Sequence, residues 1–99
     1  MNSILSWNAN GLRAVERKGF IPWLAGELPD ILCLQETKAH PNQLSEELLH
    51  PEGYNSYFAS ADRKGYSGVA VYTRRIPLDV SYFGDSAFDS EGRLIVLHF

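Results

Sequence analysis

Apolar residues in this chain fall into short runs, and the spacing within the runs alternates between strand-like and helix-like. Ser3–Asn8 (SILSWN) and Ile31–Gln35 (ILCLQ) are compact apolar runs closed by polar residues, and each predicts a buried strand. Between them Asn10-Gly11 marks a turn, Leu12–Lys18 predicts a helical turn, and Gly19 interrupts it. Phe20, Ile21, Leu24 and Leu28 then recur at helical spacing, with Pro22 in the first turn and Pro29-Asp30 as the stop. A strand–helix–strand unit pairs its strands in parallel through a right-handed crossover. Both C-terminal ends then lie on one sheet edge, where open α/β sheets place their ligands. Asn8 and Glu36 are therefore expected side by side. An amide beside a carboxylate suits a hard divalent cation, which takes oxygen ligands.

The second half reads differently. His40–Gly53 is a connection holding a short helix with Leu44, Leu48 and Leu49 on its apolar face and Asn42 as its cap. Tyr54–Ala59, Gly68–Arg74, Leu78–Phe83 and Arg93–Phe99 predict strands, separated by a polar loop (Ser60–Ser67) and an acidic one (Gly84–Gly92). Their short connections favour antiparallel pairing. The whole is an α/β pattern with a mixed sheet. Six strands and about two helices leave one sheet face poorly covered. The final stretch, Leu94–Phe99, is still apolar where the chain stops. Residues 1–99 are thus expected to form the N-terminal part of one larger domain.

Composition narrows the function classes. With 99 residues, 44% apolar and 21% charged, the chain suits one small globular unit and is too apolar for disorder. A net charge of −3 argues against a generic nucleic-acid binder. Most of the nine basic residues sit at strand ends or in loops, and from charge alone a solvated surface is the favoured reading of them. Cys33, the single cysteine, excludes an internal disulfide and reads as a buried, unreactive thiol. No signal peptide or membrane-spanning run is visible, so an intracellular, cytoplasmic location is expected, nuclear or mitochondrial in a eukaryote. Trp7 and Trp23 are expected in the core. His40, His50 and His98 have no partner at useful spacing. The chain has no Gly-rich nucleotide loop, no Cys/His zinc spacing and no Gly-x-Ser-x-Gly elbow.

Four motifs carry a resemblance. Ser6–Ala14 (SWNANGLRA), Pro29–Lys38 (PDILCLQETK), Gly65–Ala70 (GYSGVA) and Glu91–Arg93 (EGR) resemble, in order, motifs of the exonuclease III family of apurinic/apyrimidinic (AP) endonucleases. The wider endonuclease/exonuclease/phosphatase superfamily shares the strand-ending Asn and Gln-Glu. The Asn-Gly-Leu-Arg-Ala, Glu-Thr-Lys and Gly-Tyr-Ser-Gly extensions are more specific to the DNA-repair branch. The resemblance implies the N-terminal half of a four-layered, DNase I-like α/β sandwich. It implies phosphodiester hydrolysis at abasic sites in double-stranded DNA, trimming of 3′ ends, and a place in base excision repair. The cofactor it implies is Mg²⁺, with Mn²⁺ as an alternative. Duplex DNA would be the partner of a monomeric full-length protein, with no membrane involved.

The same resemblance assigns residues. Glu36 and Asn8 match metal-site positions, and Asn8, Asn10 and Glu36 match catalytic ones. Arg13, Lys38, Gly65, Tyr66 and Arg93 match positions near the DNA backbone, the usual place for positioning contacts. Each has a plainer alternative. Glu36 can be a helix-capping or surface glutamate. Asn8 can ligate a metal or only orient a carboxylate, and Asn10 fits a turn former before Gly11. Tyr66 can be a packed loop aromatic, and Arg93 can pair with Asp85, Asp89 or Glu91. The family's later motifs, a catalytic tyrosine, Gly-Asp-x-Asn and an Asp-His pair, do not occur here. The chain alone is therefore expected to be inactive. Another phosphoesterase of the superfamily, or a non-catalytic fragment or paralogue, is the rival reading.

Overall fold

A computed structural model describes residues 3–82 and 90–99. In chain order the elements are β1 (Ile4–Asn8), α1 (Leu12–Arg17), α2 (Phe20–Glu27), β2 (Ile31–Gln35), a 3-10 turn (Pro41–Gln43), α3 (Glu46–Leu49), β3 (Asn55–Ala59), β4 (Val69–Thr73), β5 (Asp79–Ser81) and β6 (Val96–His98). Four strands form one mixed sheet in the order β1-β2-β4-β3, and β5 pairs with β6 separately. β1 and β2 run parallel, with Asn8 opposite Gln35. β4 runs antiparallel to both neighbours, and Val69 faces Gln35 on one side and Ala59 on the other. The ends of β1, β2 and β3 and the start of β4 therefore meet at one edge.

β2 shows why this sheet has one closed face. Leu32 and Leu34 are buried while Ile31, Cys33 and Gln35 are half-buried, the period of a strand covered on one side. The closed face packs on Leu12, Phe20, Leu24, Leu44 and Leu48 from the helices and turns. Tyr72 of β4 lies at its centre, fully buried, with Phe20 and Phe58 rings about it at 5.9 and 6.1 Å. A buried phenol needs an acceptor. Tyr72 donates to the Leu48 carbonyl and Tyr54 to the Pro29 carbonyl, each at 2.6 Å.

Several expectations are corrected. β1 is exposed along its whole length, because it is the sheet's edge and, among the described residues, no strand pairs with its outer side. Trp7 and Trp23 are 38% and 37% exposed, so they are rim residues. They pack on one another at 5.6 Å and on Phe20, while α2 sends Phe20 and Leu24 into the core. Cys33 is only half-buried, although burial still raises its thiol pKa. Ser45, not Asn42, caps α3 by accepting the Leu48 N–H at 3.2 Å; Asn42 belongs to the preceding 3-10 turn. Among the described residues the two late strands cover Asp79–Ser81 and Val96–His98 and pair with each other; the expected end of the first, Phe83, lies outside the described residues. Residues 84–89 of the acidic loop lie outside the described residues. Among the described residues no helix is long and apolar enough to cross a membrane.

Candidate metal and nucleic-acid site

Three loops converge on the edge where β1, β2 and β4 meet, and backbone hydrogen bonds tie them together. Glu36-Thr37-Lys38 is the middle one. On one side Glu36 and Thr37 carbonyls accept from Gly11 and Leu12 N–H, each at 2.8 Å. On the other, Thr37 and Lys38 N–H donate to the Gly68 and Ser67 carbonyls at 3.1 and 2.8 Å. Glu36 (φ 53°) and Lys38 (φ 54°) are both left-handed. That conformation costs a side-chain-bearing residue about 1–2 kcal/mol and persists only where surrounding structure over-determines it. The two-sided strap supplies that determination. Gly68 (φ 90°) closes it: a Cβ there would land on the Thr37 hydroxyl, which is itself buried.

The side chains at this edge form one polar chain. Asn8 Nδ2 donates to Glu36 Oε2. Asn8 Oδ1 accepts the Asn10 N–H at 3.0 Å. These two bonds set the amide's orientation, because the flipped form would face oxygen to carboxylate and NH₂ to N–H. Asn10 Oδ1 in turn accepts from Lys38 Nζ at 2.6 Å. Asn10 thus serves as a turn residue (φ 49°) and as a side-chain acceptor at once. Among the described residues Glu36 Oε1 accepts no hydrogen bond. Nor do three His, Cys, Asp or Glu side chains cluster among them as a ready-made cage. One oriented carboxylate with an open oxygen fits a Mg²⁺-like ion, which keeps its waters and binds through one or two carboxylates plus phosphate.

Beside this chain lies a cleft of about 430 Å³ lined by Gly11, Arg13, Ala14, Arg17, Thr37, Lys38 and Gly65. Arg13 and Arg17 stand one helical turn apart on α1, and the strap brings Lys38 to them. Arg17 was missed from sequence, although its spacing from Arg13 was the available signal. A larger cleft of about 700 Å³, lined by Ile4, Leu5, Trp7, Val15, Phe20 and Trp23 among others, lies on β1 away from this polar edge.

Tyr66 and Arg93 form a second group. Arg93 Nη2 donates to the Tyr66 hydroxyl at 3.1 Å, and Arg93 Nε donates to Glu91 Oε2 at 2.9 Å. The Arg93 and Arg63 guanidinium carbons lie 6.0 and 5.6 Å from the Tyr66 ring centroid. Tyr66 is 41% exposed, so its ring is partly open to solvent as well as to the two guanidinium groups. Glu91, by hydrogen bond and charge, and then Tyr66 hold the Arg93 guanidinium above its usual pKa. Arg93 stands before β6, not at its first residue. Gly92 (φ 61°) presses that segment on the end of β3: a Cβ would lie 2.5 Å from Ala61 N and 2.7 Å from the Ala59 carbonyl. The Asp62 N–H to Ser90 carbonyl bond, 2.8 Å, adds to the seam.

Residues 5–96 match the endonuclease/exonuclease/phosphatase family. An exodeoxyribonuclease of Bacillus subtilis is 49% identical over 98 residues, a match covering 97% of this chain and 38% of that protein. An AP endonuclease from Archaeoglobus fulgidus superposes with a TM-score of 0.78 at 40% identity, over 96% of this chain and 36% of that one. A 3′ phosphatase from Neisseria, bound to a product DNA hairpin, superposes with a TM-score of 0.77 at 31% identity, over 96% and 36%. The chain thus spans between 36% and 38% of the length of these proteins.

Proposed function

This chain belongs to the endonuclease/exonuclease/phosphatase family, and from that premise we propose that it is the N-terminal part of a single-domain, metal-dependent DNA-repair nuclease. The substrate would be a phosphodiester of duplex DNA at an abasic site or a 3′ end, and the pathway base excision repair. The observation that carries the reading is the linked set Lys38–Asn10–Asn8–Glu36 at one sheet edge. The names of the similar proteins, and the DNA hairpin bound to the Neisseria 3′ phosphatase, support it.

Glu36 would hold Mg²⁺ or Mn²⁺, and such an ion stabilises charge on the phosphate being cut and lowers the pKa of bound water. Asn8 donates its amide nitrogen to Glu36 and would orient the carboxylate beside the ion. Asn10 accepts from the Lys38 ammonium, which would meet a phosphate on the same edge as the carboxylate. Arg13, Arg17 and Lys38 around their cleft, with the open Gly65 backbone at its rim, would bind DNA phosphates. Tyr66 and Arg93 would extend that contact along the backbone.

The test is a chimera in which this chain replaces the matching segment of the Bacillus subtilis exodeoxyribonuclease. The chimera should cut an abasic duplex with Mg²⁺. Glu36→Gln should lower the rate by about two orders of magnitude at limiting Mg²⁺, with partial recovery at higher Mg²⁺. Unchanged activity of that variant at limiting Mg²⁺ would remove Glu36 from the metal site.

A further inference from the structure

We propose that Glu91 is a built-in competitor for the backbone phosphate that Arg93 would bind, so that DNA must displace this carboxylate before Arg93 contributes. The inference rests on the reading of this surface as a DNA-binding one. It goes beyond that reading by assigning a role to Glu91, an acid on a surface meant for a polyanion.

Four observations carry it. Arg93 Nε is already engaged by Glu91 Oε2 at 2.9 Å, a charge-assisted bond of the kind the guanidinium would form with a phosphate oxygen. Both side chains are open to solvent, 51% exposed for Arg93 and 46% for Glu91, so a phosphate can reach them. The pair is held in place from below. Gly92 between them fits against the Ala59–Ala61 backbone only because it lacks a Cβ, and Ser90 is bonded to Asp62. The backbone that carries both side chains is therefore anchored. The Arg93 guanidinium is also poised on Tyr66, with one bond to its hydroxyl at 3.1 Å. Exchanging Glu91 for phosphate leaves that second contact intact. A surface ion pair of this exposure adds little to folding. Its consequence is felt by the ligand instead: binding pays for breaking the pair and for carrying a negative charge toward phosphate.

The test measures duplex binding by the chimera with the Bacillus subtilis exodeoxyribonuclease, with Mg²⁺ withheld, using fluorescence anisotropy across a salt series. Glu91→Gln keeps an acceptor for Arg93 and removes the charge. If Arg93 then neutralises one more phosphate, the slope of log K against log salt steepens by about 0.9. Taking about 1 M salt as the point where that term vanishes, affinity rises about fifteenfold near 50 mM and about fourfold near 200 mM. Glu91→Ala should act in the same direction. In the double variant Glu91→Gln/Arg93→Ala the gain should disappear. Thermal melts followed by circular dichroism verify that each variant is folded.

Weaker binding by Glu91→Ala, or an unchanged slope in both single variants, would overturn the proposal and make Glu91 a holder of Arg93. A gain that survives in the double variant would also overturn it, because the effect would then be one of net charge alone. A chimera that fails to bind duplex, or one whose Arg93→Ala and Tyr66→Ala variants both keep its affinity and slope, would instead bring down the DNA-surface reading, and this proposal with it.

Discussion

Gly92→Ala separates two costs that one substitution usually confounds. The alanine must first hold φ at 61°, a left-handed conformation. That costs about 1–2 kcal/mol for a residue with a Cβ. The new methyl must also occupy space held by Ala61 N at 2.5 Å, Ser60 C at 2.6 Å and the Ala59 carbonyl at 2.7 Å. All three are backbone atoms and cannot rotate away. Relieving such overlap by moving chain segments costs about 1–3 kcal/mol more. The sum is about 2–5 kcal/mol, a large share of the roughly 5–15 kcal/mol that holds a native domain together. Gly65→Ala is the control, since Gly65 has φ 73° but nothing within 4 Å of a built Cβ. It should incur the first cost alone. At about 4–8 °C of Tm per kcal/mol for a chain of this size, Gly92→Ala should melt at least about 4 °C below Gly65→Ala. Thermal unfolding followed by circular dichroism reads both. Equal shifts would refute the claim that residues 90–93 are packed on the end of β3.

Ser45→Ala removes the acceptor for Leu48 N–H and the hydroxyl that donates to Glu16, and should destabilise the chain by about 1 kcal/mol, read as a fall in Tm of about 4–8 °C; no shift would mean that α3 does not depend on its cap. Burial raises the pKa of the Cys33 thiol and the Tyr72 phenol, so each holds its proton more tightly folded than unfolded. Stability is then full below the unfolded values and should decline as pH rises above about 8.5 and again above about 10; a Tm that stays level from neutral pH to pH 11 would contradict that burial. The 99-residue chain alone should not turn over an abasic duplex with Mg²⁺, since it lacks the Gly-Asp-x-Asn and Asp-His motifs; turnover that co-purifies with this chain and is lost in Glu36→Gln would show those motifs to be dispensable.

The parallel pairing of β1 with β2 and the meeting of Asn8 with Glu36 were legible because local rules determine them. Two apolar runs with a helix between can be connected in few ways. Antiparallel β3–β4 followed from their short connection for the same reason. Burial was less legible. β1 and Trp7 are as apolar as core segments, but an edge position decides exposure, and apolarity does not reveal which strand takes the edge. The capping error at α3 arose from the 3-10 turn, which uses Asn42 and shifts the helix start to Ser45. At the site, the motif residues were visible but their linkage was not. The order Lys38 to Asn10 to Asn8 to Glu36 depends on left-handed residues at positions 10, 36 and 38, none of them glycine. Composition gives no sign of backbone strain borne by Asn, Glu or Lys.

The hydrogen bonds between the first two strands also count residues. Ala9 N–H reaches the Gln35 carbonyl, and a regular parallel ladder would next take Gly11 N–H to Thr37. Instead Leu12 makes the Thr37 bond and Gly11 binds Glu36, so the first segment carries one residue more than the second. Asn10 is the residue left over, and its N–H is taken up by the Asn8 side chain. The surplus residue is what turns the Asn10 amide toward Lys38. Surface turns ordinarily tolerate insertions and deletions. This one does not have that freedom: removing a residue between Asn8 and Leu12 would restore the regular ladder and dismantle the polar chain, with every strand still paired. In this turn, length is as much a part of the site as the identity of its side chains.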